Sequence, residues 1–108
     1  MAISEISVDE LAEQLATGSR LVDVREPDEF DEGHVPGAVH IPLATVPDNV
    51  ERFRGEGPTY VICRSGGRSL RACEFLADRG VDVVNVAGGT LAWQSSGRTV
   101  ETVEIADS

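Results

Sequence analysis

The chain has 108 residues, 41% of them hydrophobic and 26% charged. That is the size and composition of one globular domain with its own core, and it excludes a disordered chain or a pair of domains. Nineteen acids against nine bases give a net charge of −10, which argues against a general nucleic-acid binder and against anionic membrane surfaces. No uncharged run approaches the roughly 20 apolar residues of a membrane span. Residues 1–10 show neither the basic nor the apolar region of a secretory signal. Only two cysteines occur, Cys63 and Cys73, so a disulfide-stapled secreted scaffold is excluded and a reducing cytoplasm is the expected compartment.

In chain order, Ser7-Val8-Asp9-Glu10 reads as a capping box that starts a helix, with Val8, Leu11 and Leu15 on one face and Gly18 as the stop. Residues 21–24 are a short apolar run that predicts a buried strand. Residues 27–32 predict one acidic turn of helix with Pro27 near its start. A turn rich in Gly and Pro follows at 33–38. Residues 38–41 predict a second strand ended by Pro42, and residues 47–53 a weak helix. The clearest strand is 59–63, uncharged and rich in β-branched residues. A polar, Gly-containing loop leads to a helix over 69–79, with Leu70, Cys73, Leu76 and Ala77 at helical spacing. A strand over 81–86 and a short helix after Gly88-Gly89 complete the pattern. Strands alternating with helices imply a parallel sheet covered on both faces. Ligands of such sheets bind beyond the C-terminal ends of the strands, which is where Cys63 falls.

The segment Cys63-Arg64-Ser65-Gly66-Gly67-Arg68-Ser69 runs from that strand end into a helix start. Free N–H groups and the positive end of a helix dipole favour a thiolate there. Successive N–H groups in a tight Gly-containing loop can also form an anion-binding nest. Arg64, Arg68 and Arg71 add three cations, and no acid lies between Cys63 and Cys73. Each effect lowers a thiol pKa, so Cys63 is the expected nucleophile, with Arg64, Ser65, Gly66, Gly67, Arg68 and Ser69 as the expected anion cradle. The competing reading of Cys63 is a small core hydrophobe in a plain strand–helix connection.

At these residues the sequence resembles the rhodanese-like (sulfurtransferase) domains. Leu21-Val22-Asp23-Val24-Arg25 with Glu29-Phe30 is similar to the family's first signature, and Gly33-His34-Val35-Pro36-Gly37-Ala38-Val39-His40-Ile41-Pro42 to its second. The Cys63 loop is similar to the active-site signature, and Val86-Ala87-Gly88-Gly89 with Trp93 to the C-terminal one. The resemblance spans nearly the whole chain as one domain, 1–108. It implies a three-layer α/β/α fold with a five-stranded parallel sheet, and sulfur carried on Cys63 as a persulfide. It also implies no cofactor and no metal. The implied partners are a small sulfur-containing anion such as thiosulfate as donor, and a thiol, a protein or cyanide as acceptor. The oligomeric state is left open. Two-domain members of the family hold thiosulfate with a Lys in the loop and an Arg after the first signature. Ser65 and Glu29 stand in those places here, which leaves Arg64 and Arg68 to supply the charge.

Phosphatases that share this fold place an Arg six residues after the nucleophilic Cys. Here that position is Ser69 and Arg68 comes one residue early, so the loop length fits a sulfur atom rather than a phosphate. A second reading of function, from a different class, is a sulfur-carrier or regulatory module loaded by a partner protein. Among the remaining residues, Asp23 and Arg25 read as a structural polar pair near the site and Trp93 as a packing residue. His34 reads as a hydrogen-bonding turn residue, since no further ligands accompany His34 and His40 at zinc spacing. Cys73 reads as a buried structural thiol, with a resolving role for Cys63 as the alternative. The acidic run 28–32 reads as a solvated face able to steer a basic partner.

Overall fold

The computed structural model describes residues 2–103 of the chain. Five strands, β1 (Glu5–Ile6), β2 (Arg20–Asp23), β3 (Val39–His40), β4 (Thr59–Ile62) and β5 (Val83–Val86), form one sheet in the order β1-β5-β4-β2-β3, and every pairing is parallel. The helices are α1 (Val8–Ala16), α2 (Pro27–Glu32), α3 (Gly67–Ala77) and α4 (Gly89–Ser95). None of them is long and apolar enough to cross a membrane among the described residues.

The alternation of side chains along β4 divides the core. Tyr60 and Ile62 pack with Val8, Leu11, Leu21, Val86 and Trp93 on the side of α1 and α4. Val61 packs with Val22, Phe53, Cys73 and Leu76 on the side of α3. All four residues of β4 are buried, as the centre of a sheet covered on both faces requires. Full burial of a side chain such as Phe53 or Leu11 contributes about 1.5–3 kcal/mol, and both are 0% exposed. The period of two carries on to Cys63, which joins the same cluster as Val61. The thiol is thereby directed to the face where α3 begins.

Several boundaries differ from the sequence reading. β1 was not predicted by pattern: two residues are too short to show a period, and they become a strand only by pairing with Asn85 and Val86. The helix expected over 47–53 is instead two 3₁₀ segments, Leu43–Asp48 and Val50–Phe53, with Pro47 inside the first. A Pro lacks the N–H that a regular α-helix would use there. The expected strands over 59–63 and 81–86 are trimmed to β4 and β5. α3 begins at Gly67 rather than Ser69. The capping box of α1 forms as read: Ser7 Oγ accepts the Glu10 N–H and the Glu10 carboxylate accepts the Ser7 N–H. α2 is more than a solvated acidic turn, because Phe30 is buried and stacks between His34 and His40 at ring-centroid separations of 3.7 and 4.5 Å.

Candidate active site

β2 and β4 run side by side, with Asp23 paired to Ile62. The residues that follow both strands therefore meet at the C-terminal edge of the sheet. Cys63 comes directly after β4 and is 1% exposed. The chain then turns through Gly66, whose φ of 110° lies in the left-handed region that glycine adopts without a Cβ penalty. The turn brings the Gly66 N–H to 3.1 Å from the Cys63 sulfur. Within the first turn of α3, the hydroxyl of Ser69, a residue 0% exposed, donates to the same sulfur at 3.3 Å. Burial alone pushes the Cys63 thiol up. The donors opposing it are the Ser69 hydroxyl and the N–H groups of Ser69, Gly66 and Ser65, and together they prevail, so the thiol lies below its ordinary value. These groups stabilise a negative charge at sulfur in a site screened from water, which suits a thiolate nucleophile.

Two residues that the sequence reading missed hold this loop in place. Thr90, at the start of α4, donates both its N–H and its hydroxyl to the Cys63 carbonyl, at 2.9 and 3.1 Å. The next N–H, from Leu91, goes to the Arg64 carbonyl at 3.0 Å. Asn85 of β5 is 1% exposed. Its amide donates to the Gly66 carbonyl at 3.2 Å and to the Glu5 carboxylate at 2.8 Å. Both contacts join residues far apart in sequence, so no local spacing announces them. The one available signal was position, since Asn85 and Thr90 flank the Gly88-Gly89 turn at the end of the neighbouring strand.

The predicted cradle residues divide into three groups. Ser65, Gly66 and Ser69 direct donors at the sulfur. Arg64 and Gly67 are exposed, and Arg64 lines a cavity of about 280 Å³ beside the loop, together with Arg25, Glu29, Glu32 and Thr90. Arg68 is committed elsewhere. Its two terminal nitrogens donate to the two oxygens of Glu29 at 2.7 and 2.9 Å. This pairing, with lesser help from a backbone N–H and from Arg25, holds the Glu29 carboxyl at about 2, so Glu29 is ionised at neutral pH. A second carboxylate–guanidinium pair lies behind it. Arg25 donates from Nε and a terminal nitrogen to Asp23 at 2.9–3.1 Å and from that same terminal nitrogen to the Gly33 carbonyl at 2.8 Å. Asp23 is 0% exposed and also accepts the Arg25 N–H, a structural role that fits its reading from sequence.

His34 donates from Nδ1 to the Phe30 carbonyl and His40 from Nε2 to the Arg25 carbonyl, each at 2.8 Å. Among the described residues no three His, Cys, Asp or Glu side chains come together as a metal site would need. Cys73 is 0% exposed in the α3 core, where burial above all pushes its thiol up to about 12. It is unsuited to ionise, in contrast to Cys63. Trp93 is 6% exposed, packs with Val8 and Leu11, and donates its indole N–H to the Thr99 carbonyl at 2.9 Å.

Residues 7–96 match the model of the rhodanese-like domain family. The chain belongs to that family. This rhodanese-like chain is 41% identical over 96 residues to a Bacillus subtilis protein named "Putative sulfurtransferase YtwF", covering 87% of this chain and 93% of that one. It is 32% identical over 105 residues to a protein named "Sulfurtransferase" from Allochromatium vinosum, covering 94% and 98% of the two chains. Among solved structures, a rhodanese-like domain protein from Staphylococcus aureus superposes with a TM-score of 0.83 at 37% identity, over 93% of this chain and 98% of that one. The five-stranded parallel sheet with helices on both faces is the arrangement that the resemblance implied.

Proposed function

We propose that the chain is a single-domain sulfurtransferase that carries sulfane sulfur on Cys63 between a donor and an acceptor, in a cytoplasmic setting. The observation that carries this reading is the buried Cys63 sulfur facing the Gly66 N–H and the Ser69 hydroxyl at 3.1 and 3.3 Å. The membership in the rhodanese-like family and the names of the relatives support it. In the first half-reaction the Cys63 thiolate attacks the outer sulfur of thiosulfate. A sulfur–sulfur bond forms to Cys63, the bond from that sulfur to the sulfonate breaks, and its electron pair leaves on sulfite. The product is an anionic persulfide whose outer sulfur stands about 2 Å beyond Sγ. In the second half-reaction an acceptor (a thiolate, a protein thiol or cyanide) attacks that outer sulfur and the Cys63 thiolate is regenerated. No general base takes part in the attack itself, because the attacking species is the thiolate, and splitting the transfer in two predicts ping-pong kinetics. The loop N–H groups stabilise the anionic sulfur as an oxyanion hole stabilises oxygen.

Incubation with thiosulfate and no acceptor should give a protein heavier by one sulfur atom, located on Cys63 by peptide mapping. Cyanide should then return the original mass and yield thiocyanate. Cys63→Ser should abolish loading while the fold survives, whereas Cys73→Ser should retain most of the turnover. Loading on Cys73, or hydrolysis of an aryl phosphate without any persulfide, would overturn the reading. Stoichiometric loading from a protein donor only, with no steady-state turnover on thiosulfate and cyanide, would favour the carrier reading instead.

A further inference from the structure

The inner cation of the Cys63 loop is already bound to a carboxylate. Glu29 reaches from α2 across 39 residues of sequence to grip Arg68 with both oxygens. The two side chains are 27% and 35% exposed, so the pair is shielded more than an ordinary surface ion pair. Arg68 sits in the first turn of α3, close enough to Cys63 to feel its charge. Its two terminal nitrogens are taken up by the Glu29 carboxylate, so the fork that could hold an incoming anion is filled. The neighbouring Arg25 is filled in the same way by Asp23. Of the cations lining the adjoining cavity, Arg64 alone has no carboxylate partner among the described residues. A small dianion entering there meets one free guanidinium, and beside it the Glu29 charge.

We infer that Glu29 sets the charge of the sulfur donor this site accepts: by occupying Arg68 it disfavours compact dianionic donors relative to donors that carry a single charge, such as a thiosulfonate or a persulfide borne on a thiol. The inference rests on the sulfur-transfer reading above and names its donor class. The chemistry differs only in the leaving group. A thiosulfonate monoanion gives up its outer sulfur to the Cys63 thiolate, the bond from that sulfur to the sulfonyl sulfur breaks, and the electron pair leaves on a sulfinate. Thiosulfate brings one more negative charge to the same place. Removing the Glu29 charge frees Arg68 and benefits the dianion more.

The test compares thiosulfate with methanethiosulfonate as donors, with cyanide as acceptor, in wild type, Glu29→Gln, Arg68→Ala and the double variant. Glu29→Gln should lower the KM for thiosulfate roughly three- to tenfold more than that for methanethiosulfonate, with kcat changed less than about twofold. Adding Arg68→Ala should erase that gain. Glu29→Ala, which removes the carboxylate without replacing its bulk, should reproduce the shift if Glu29→Gln does not fold. A purely structural link between α2 and α3 would instead change Tm and shift both donors alike. Equal KM changes for the two donors, no change, or a gain that survives Arg68→Ala overturns the inference. Wild-type protein that loads sulfur on Cys63 yet shows no such selectivity shift sinks this inference alone, and wild-type protein that loads sulfur from neither donor sinks the sulfur-transfer reading with it.

Discussion

The two cysteines show how environment decides chemistry at the scale of a residue. They share one core cluster, yet Cys73 is surrounded by apolar groups and pushed up to about 12, whereas Cys63 lies below its ordinary value of 9.0 despite its burial. The difference is the set of donors at the loop, and the Ser69 hydroxyl is the largest of them. The sign of the pH dependence follows. The thiolate is present above the folded-state pKa and is lost as pH falls through it, so the acid limb of kcat/KM should lie below 9.0. Ser69→Ala removes a hydrogen bond to a charged acceptor, worth about 1.5–3 kcal/mol, and leaves burial unopposed by that group. The acid limb should move to higher pH, and kcat/KM at pH 7 should fall roughly tenfold or more, with recovery as the pH is raised. A uniform loss at every pH, with the limb in place, would show that Ser69 serves packing alone. Of this site, Cys63 and Ser69 were legible in the sequence, because a strand end, a Gly-containing loop and a helix start lie within seven residues of chain. The commitment of Arg68 was not legible, since its partner lies 39 residues away and only the folded chain brings α2 to α3.

At the scale of elements, the strongly patterned segments were readable and the short ones were not. β4 announces itself by composition, and α1 by its capping box. β1 has two residues and exists because β5 offers an edge. α3 starts two residues earlier than its apolar spacing suggests, because Gly66 in the left-handed conformation caps it without a side chain. The least legible joint is that between the Cys63 loop and α4. Gly89 begins α4 with a φ of 61°, and a Cβ placed there would stand 2.5 Å from the carbonyl oxygens of both Cys63 and Arg64. Those oxygens accept the N–H groups of Thr90 and Leu91, so neither side can yield without breaking the joint. Gly89→Ala should therefore destabilise the domain by about 2–4 kcal/mol and lower Tm by roughly 10 °C or more. Gly67→Ala is the matched control for stability, as a Cβ there meets nothing within 4 Å, and its Tm should stay level or rise. Thermal melts of the two variants decide the matter: equal Tm values would mean that the joint is loose.

For the whole molecule the governing quantity is charge. A net −10 is spread over a chain in which Arg64, Arg68 and Arg71 form a basic window, and Glu29 neutralises the second of these. At long range an anionic donor therefore meets repulsion, and only close to the loop does it meet Arg64 and the N–H groups around the sulfur. Salt acts on the two distances differently. The Debye length is about 30 Å at 0.01 M and about 8 Å at 0.15 M, so raising salt over this interval removes the distant repulsion while leaving contacts at hydrogen-bond distance nearly intact. The kcat/KM for thiosulfate should rise, on the order of severalfold, between these two ionic strengths, and the rise should be smaller for methanethiosulfonate, which carries half the charge. A site governed by its local cations would behave in the opposite way, with kcat/KM falling as salt competes for Arg64. Initial rates at a series of sodium chloride concentrations, with low fixed donor, separate the two. A monotonic fall with salt for the dianion would mean that the basic window, and not the acidic body of the protein, controls approach to Cys63.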